Sequence, residues 1–167
     1  IGYLVEGLRR RREAGLAAPA VVSCDNLAGN GRLLGAAAVQ FAAELDKDLA
    51  EWIRGEVAFP RTMVDSITPA TDDALRALVR DRLGVDDAWP IQRERFTQWV
   101  VEDCLPAGGP DLASVGVEIT SDVSAYERAK LRLLNGAHSS LAYLGLLRGH
   151  ETVVEAMADR ELAAFIE

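Results

Sequence analysis

Residues 124–145, Ser-Ala-Tyr-Glu-Arg-Ala-Lys-Leu-Arg-Leu-Leu-Asn-Gly-Ala-His-Ser-Ser-Leu-Ala-Tyr-Leu-Gly, constrain the chain more than any other stretch. The run is strongly helical, yet its polar groups fall where an ordinary core helix would not carry them. Ser124 and Glu127 have the spacing of a capping box, in which hydroxyl and carboxylate satisfy first-turn N–H groups that lack a partner within the helix. The helix is therefore expected to start near Ser124. At about 100° per residue, Glu127, Lys130, Asn135 and His138 share an arc of roughly 140° with Leu134 and Leu141. A lysine, an amide and an imidazole set among leucines cannot all be buried unpartnered, since each unsatisfied polar group costs on the order of 1–3 kcal/mol. They are expected to line a cleft. The same residues also fit an ordinary helix whose Lys reaches solvent, whose Asn bonds a loop and whose His is a satisfied core residue.

Upstream, residues 1–15 have helical apolar spacing in Tyr3, Leu4 and Leu8, with Gly15 as a stop. Residues 19–23 read as a short buried strand that ends in Ser23-Cys24-Asp25-Asn26. Ligands collect at the carboxyl ends of strands in α/β sheets, which makes Asn26 a candidate site residue; on the residues alone an Asx turn before a helix is the favoured explanation. Gly29-x-Gly31-x-x-x-Gly35 is one residue too long for a dinucleotide fingerprint and has no acidic partner ending a second strand, so these glycines are read as a turn into a helix. That helix is expected over residues 32–54, with Leu34, Val39, Phe41, Leu45, Leu49 and Trp52 giving it an apolar face. Residues 57–64 have strand character broken by Pro60 and deliver Asp65, which is either a hydroxyl-binding carboxylate or a turn or capping Asp.

A short helix follows over 71–83, ended by Gly84, then strands over 96–102 and 115–120. Beyond Asp122 the chain reads as helical, with a break at Gly149 and a further helix over 152–167. The domain boundary is placed near residue 122.

Composition excludes several classes. The 18 basic and 26 acidic residues give a formal charge of −8, which opposes phosphate binding and hence a nucleic-acid partner. Arg9 to Arg12, beside Glu13, read as a solvated helix face. Cys24 and Cys104 make no disulfide framework and pair with no His at metal-ligand spacing, as expected of a reducing cytoplasm. No apolar run reaches the roughly 18 residues a membrane span needs, and an N-terminal Ile in place of Met implies a preceding portion.

The motif Lys130-Leu-Arg-Leu-Leu-Asn135-Gly-Ala-His138-Ser, with Asn26 in Ser-Cys-Asp-Asn and Asp65 in Phe59-Pro-Arg-Thr-Met-Val-Asp65-Ser-Ile-Thr-Pro69, resembles the polyol-specific long-chain dehydrogenases. That family holds mannitol 2-dehydrogenases, fructuronate reductases and tagaturonate reductases, and the matching motifs run in its order from about Ser23 to Gly145. The resemblance implies an α/β chain: the C-terminal part of a Rossmann-type cofactor domain with extra strands over 1–122, leading into a mainly α-helical substrate domain over 123–167. The family's glycine fingerprint and most of its C-terminal helical domain have no counterpart here, so the chain corresponds to the middle third of such an enzyme.

The same resemblance implies NAD or NADP as cofactor and interconversion of a polyol or aldonate with its ketose or ketouronate, without metal. It makes Lys130 the general acid/base, Asn26 and Asn135 an oxyanion hole, and Glu127 a relay of the proton to solvent. Asp65 and His138 become substrate-hydroxyl contacts, and Asn26 and Val64 cofactor contacts. Hydride transfer to a ketone builds negative charge on the carbonyl oxygen, which requires preorganised donors and a proton source. Lys130 serves near neutral pH only if desolvation or a neighbouring cation lowers its pKa from about 10.4. The competing reading is a non-catalytic helical interaction module that keeps the motif as packing.

Overall fold

The computed structural model describes residues 1–166, and the chain divides into two compact units, 1–121 and 122–167. In the first unit, α1 (Gly2–Glu13), α2 (Asn30–Ala43) and α3 (Lys47–Glu56) build an apolar core. Val5 and Leu8 from α1, Ala38 and Ala42 from α2, and Leu49, Ala50 and Ile53 from α3 form it, with Val57 closing one end. The alanines of α2 allow helix α3 to approach closely, and burial of these apolar groups is the principal stabilising term.

Residues 32–54 form two helices where one was expected. Asp46 interrupts the run, because its side chain accepts hydrogen bonds from the N–H groups of Asp48 (2.8 Å) and Leu49 (3.2 Å) and so caps α3. An N-cap Asp supplies what the first turn of a new helix lacks. Residues 19–23 likewise fall short of a strand: they make a single parallel bridge, Ala20 to Ala58, with the Val21 N–H donating to the Ala58 carbonyl at 2.8 Å. Pro60 has no N–H to extend that ladder.

Three strands form a mixed sheet, ordered β1 (Thr62–Asp65), β2 (Gln98–Glu102), β3 (Glu118–Thr120). Strands β1 and β2 are antiparallel, with Val64 opposite Trp99 and Asp65 opposite Gln98, and β2 and β3 are parallel. Val100 and Val101 of β2 are fully buried. At the other end of the β1–β2 pair, the Arg61 guanidinium grips Glu102 at 2.5 and 3.0 Å, while the Arg61 N–H donates to the same carboxylate at 2.9 Å. That guanidinium holds the Glu102 carboxyl below the usual range. Helix α4 (Asp73–Leu83), capped by Asp72 and ended by Gly84 in the left-handed region (φ 67°), has no buried residue. A short 3-10 turn at Ala113–Val115 precedes β3.

The second unit is helical: α5 (Val123–Ala129), a π-helical segment (Lys130–Asn135), α6 (Gly136–Leu147), α7 (Val153–Ala158) and α8 (Arg160–Ile166). Leu141, Ala156 and Leu162 form its buried cluster, with Leu144 and Ile166 packed against it. Gly145 lets α6 and α7 approach, since a Cβ there would lie 3.2 Å from that of Ala156. The helix begins at Val123, capped by the Asp122 carboxylate, which accepts from the Ala125 N–H at 3.2 Å. Ser124 therefore lies inside the first turn, and the expected Ser124–Glu127 capping box does not cap this helix. A capping box does occur at Thr152 and Glu155, at the start of α7. Among the described residues no helix is long and apolar enough to cross a membrane.

Candidate functional site

In the first unit the expected site residues stand on two neighbouring strips of chain. Asn26 is exposed in the loop that follows the bridge segment, and this loop turns because the Asp25 N–H donates to Ser23 Oγ (3.3 Å) and the Leu27 N–H to the Asp25 carbonyl (2.9 Å). Val64 and Asp65 are the last residues of β1 and both are half-buried. Asp65 lies in a strand and the next helix is capped by Asp72, so Asp65 is no helix cap.

A residue read only as part of a turn joins these two strips. Asn30, the first residue of α2, is 2% exposed, and its Oδ1 accepts from the N–H groups of Gly31 (2.7 Å) and Thr62 (2.9 Å). Its Nδ2 faces the Asp25 carbonyl (2.9 Å), Thr62 Oγ1 (2.9 Å) and the Thr62 carbonyl (3.1 Å). The Thr62 hydroxyl in turn donates to the Ser23 carbonyl. Gly31 permits this contact by closeness: an added Cβ would lie 2.3 Å from the Pro60 carbonyl oxygen. It is thus a packing glycine as well as a turn neighbour, whereas Gly29, with φ 66°, makes the turn. The only hint of this in the sequence is the small-polar-small run Gly29-Asn30-Gly31.

In the second unit, Glu127, Lys130 and Asn135 are half-buried and His138 is exposed. Lys130 and Asn135 are the first and last residues of the π-helical segment. A helix bonded five residues back has a wider turn than an α-helix. Side chains five apart, some 140° apart on an α-helix, then lie within roughly 50° of each other. An ideal π turn would thus narrow the angle between Lys130 and Asn135 relative to the arc expected at α-helical spacing. With Asp122 as the cap, Glu127 is also released from a capping-box role. Asn26, Asp65, Glu127 and Lys130 are each engaged in a polar or electrostatic contact.

His150 lies 3.4 Å from Asp159, whose carboxyl is pulled down to about 2, first by the Arg148 guanidinium. Among the described residues no three of His, Cys, Asp and Glu gather closely enough to hold a metal ion. Cys24 and Cys104 are unpaired and exposed.

Residues 1–114 match the family described as the mannitol dehydrogenase Rossmann domain, and residues 122–167 match the mannitol dehydrogenase C-terminal domain. The chain belongs to the mannitol dehydrogenase family. Within it, this chain is 47% identical over 159 residues to the D-mannonate oxidoreductase of Escherichia coli (strain K12), covering 95% of this chain and 33% of that protein. A solved D-sorbitol dehydrogenase in substrate-free form superposes with a TM-score of 0.90 at 41% identity, over 99% of this chain and 34% of that one. Pseudomonas fluorescens mannitol 2-dehydrogenase, solved as a ternary complex with NAD and D-mannitol, gives 0.80 at 45% identity with the same coverage. This mannitol dehydrogenase family chain thus spans about a third of the length of the relatives it matches, and its α/β class is that of the family.

Proposed function

We propose that the chain is the central part of an NAD- or NADP-dependent oxidoreductase that interconverts a polyol or aldonate with its ketose or ketouronate. One observation supports the reading: Lys130 and Asn135 bound a π-helical segment, a geometry that favours side chains five apart sharing one side of a helix. Such π segments occur frequently at functional sites. The relatives support the substrate class, since those named above are oxidoreductases of D-mannonate, D-sorbitol and mannitol. On this reading residues 1–122 are the C-terminal part of a dinucleotide-binding domain and residues 123–167 begin a helical catalytic and substrate domain.

Asn26 and Val64 fit a nicotinamide. One offers an exposed amide and the other a half-buried apolar side chain, on strips of chain that Asn30 holds together. The cofactor, when bound, supplies or accepts the hydride. In the direction of ketone reduction, Asn26 and Asn135 donate amide hydrogens to the carbonyl oxygen as its charge develops. Lys130 gives its proton to that oxygen, and Glu127, one turn away, returns a proton to Lys130 from solvent. Asp65 and His138 bind neighbouring substrate hydroxyls and fix which carbon faces the hydride. Two amides and a lysine supply the donors the chemistry requires, and no metal enters the scheme.

The test uses the protein from the complete reading frame, offered fructose, fructuronate and tagaturonate with NADH or NADPH. Turnover of one of them is expected, and Lys130→Ala should lower it by about 10²–10⁴-fold while NADH binding is nearly unchanged. Wild-type turnover in Lys130→Ala overturns the assignment. No turnover of any substrate, with NADH still bound, moves the interaction-module reading ahead.

A further inference from the structure

We propose that Asn30 is a positioning residue for the reaction, clamping the peptide that leads into Asn26 onto the start of β1 so that the Asn26 amide is held where it acts. The inference rests on the role given to Asn26 above.

All the hydrogen-bonding capacity of this buried amide is directed at that one junction. Oδ1 is filled by two main-chain N–H groups, of Gly31 and Thr62. The two hydrogens on Nδ2 are shared among the carbonyls of Asp25 and Thr62, the Thr62 hydroxyl and, at 3.4 Å, the Ser23 carbonyl. The Asp25 carbonyl belongs to the peptide unit whose nitrogen is that of Asn26, so its orientation fixes where the Asn26 side chain departs. The other anchor, Thr62, is 32 residues away in sequence and starts a strand that β2 pairs along its whole length. The Thr62 hydroxyl doubles the clamp through its own bond to the Ser23 carbonyl.

A residue needed only to cap α2 would have no use for these distant partners. No other side chain of similar size can replace Asn30: aspartate would set acceptor oxygens against the Asp25 and Thr62 carbonyls, and leucine would leave every partner unbonded. Because reacting groups must be held within fractions of an ångström, releasing the clamp should cost turnover on the order of 10²-fold.

The experiment measures kcat, KM, NADH affinity and thermal unfolding of the complete enzyme as Asn30→Asp, Thr62→Val and Thr62→Ser, each with and without Asn26→Ala. Asn30→Asp should lower kcat by about 10–100-fold and Thr62→Val by less, with NADH affinity retained. Thr62→Ser, which keeps the hydroxyl, should recover most of what Thr62→Val loses. In the Asn26→Ala background neither change should lower kcat further, because the group being positioned is gone. If Asn30→Asp does not fold, Thr62→Val carries the same test. Wild-type kcat with only a lower unfolding temperature overturns the proposal, as does an equal loss of kcat in both backgrounds. If Asn26→Ala alone retains full kcat, the role given to Asn26 fails and the clamp's function with it, an outcome distinct from additivity.

Discussion

A methyl group added at Gly31 would lie 2.3 Å from the Pro60 carbonyl oxygen and 2.5 Å from that of Phe59. Both are main-chain atoms, so relief requires α2 or the segment before β1 to shift. Gly31→Ala should therefore destabilise the protein by about 1–3 kcal/mol, the cost of overpacking, and loosen the Asn30 bonds beside it. Gly55→Ala is the control, since nothing lies within 4 Å of its Cβ. It sits in α3, where replacing glycine should stabilise by about 0.5–1 kcal/mol. Denaturant unfolding midpoints of the two variants should move in opposite directions, and a Gly31→Ala midpoint at or above wild type would refute the packing role. The sequence offers Gly29 and Gly31 as one turn, but only Gly29 has the positive φ of a turn glycine. The need for Gly31 comes from Phe59 and Pro60, a partner that no local pattern encodes. Asn30 escaped for the same reason: its demand for burial arises from Thr62, 32 residues away in sequence.

At the scale of elements, the segment Lys130–Asn135 departs furthest from what residue spacing can foretell. Helical character was plain from its residues, yet the hydrogen-bond register is set by packing and by the bonding of each carbonyl, so the π segment itself could not be foreseen. Deleting Leu133, which is 73% exposed, removes the additional residue the wide turn accommodates. The segment should revert to α-helix with Asn135 four residues after Lys130, about 40° from it and still on the same side. Turnover of the complete enzyme should therefore be largely retained while unfolding stays cooperative; a fall on the order of 10²-fold would show that shared placement of the two side chains is not what the π register contributes. Other boundaries were legible where a local signal decides them. Gly84 ends α4 as read, and β2 lies within the alternating run 96–102. Asp46 and Asp122 were missed as caps because acidic residues are frequent in this chain, and only the bonds they accept single them out.

Across the whole molecule, acid should act through carboxylates held by arginine in each unit. Arg61 lowers Glu102 in the first, and Arg148 lowers Asp159 to about 2 in the second. A carboxyl with a lower pKa folded than unfolded contributes stability that is complete above its unfolded pKa and is lost as pH falls through its folded one. For Asp159 that window runs from 3.8 down to about 2. Carboxyl resonances followed by NMR should report titration of Asp159 near the bottom of that window, with the α7–α8 contacts weakening as it protonates. In Arg148→Ala the Asp159 resonance should titrate higher, and an unmoved midpoint would refute the pairing. The α/β class was legible because strand patterns stop where the helical run begins. The order of the sheet was not, since the antiparallel β1–β2 pairing and the parallel β2–β3 pairing depend on contacts across long connections.

Asn30 also carries a chemical liability. It precedes Gly31, the neighbour that least hinders attack of a main-chain nitrogen on the asparagine amide carbon, with loss of ammonia and formation of an acid. In the folded chain both residues are fixed in the first turn of α2, and the amide group that would depart is held by carbonyls of the loop and of β1. The clamp thus protects itself from ageing for as long as it stays closed. Every excursion to the unfolded chain exposes it, and a molecule altered there returns with a carboxylate facing two carbonyl oxygens. The working lifetime of the protein is in that sense written into the junction of Asn30 and Thr62.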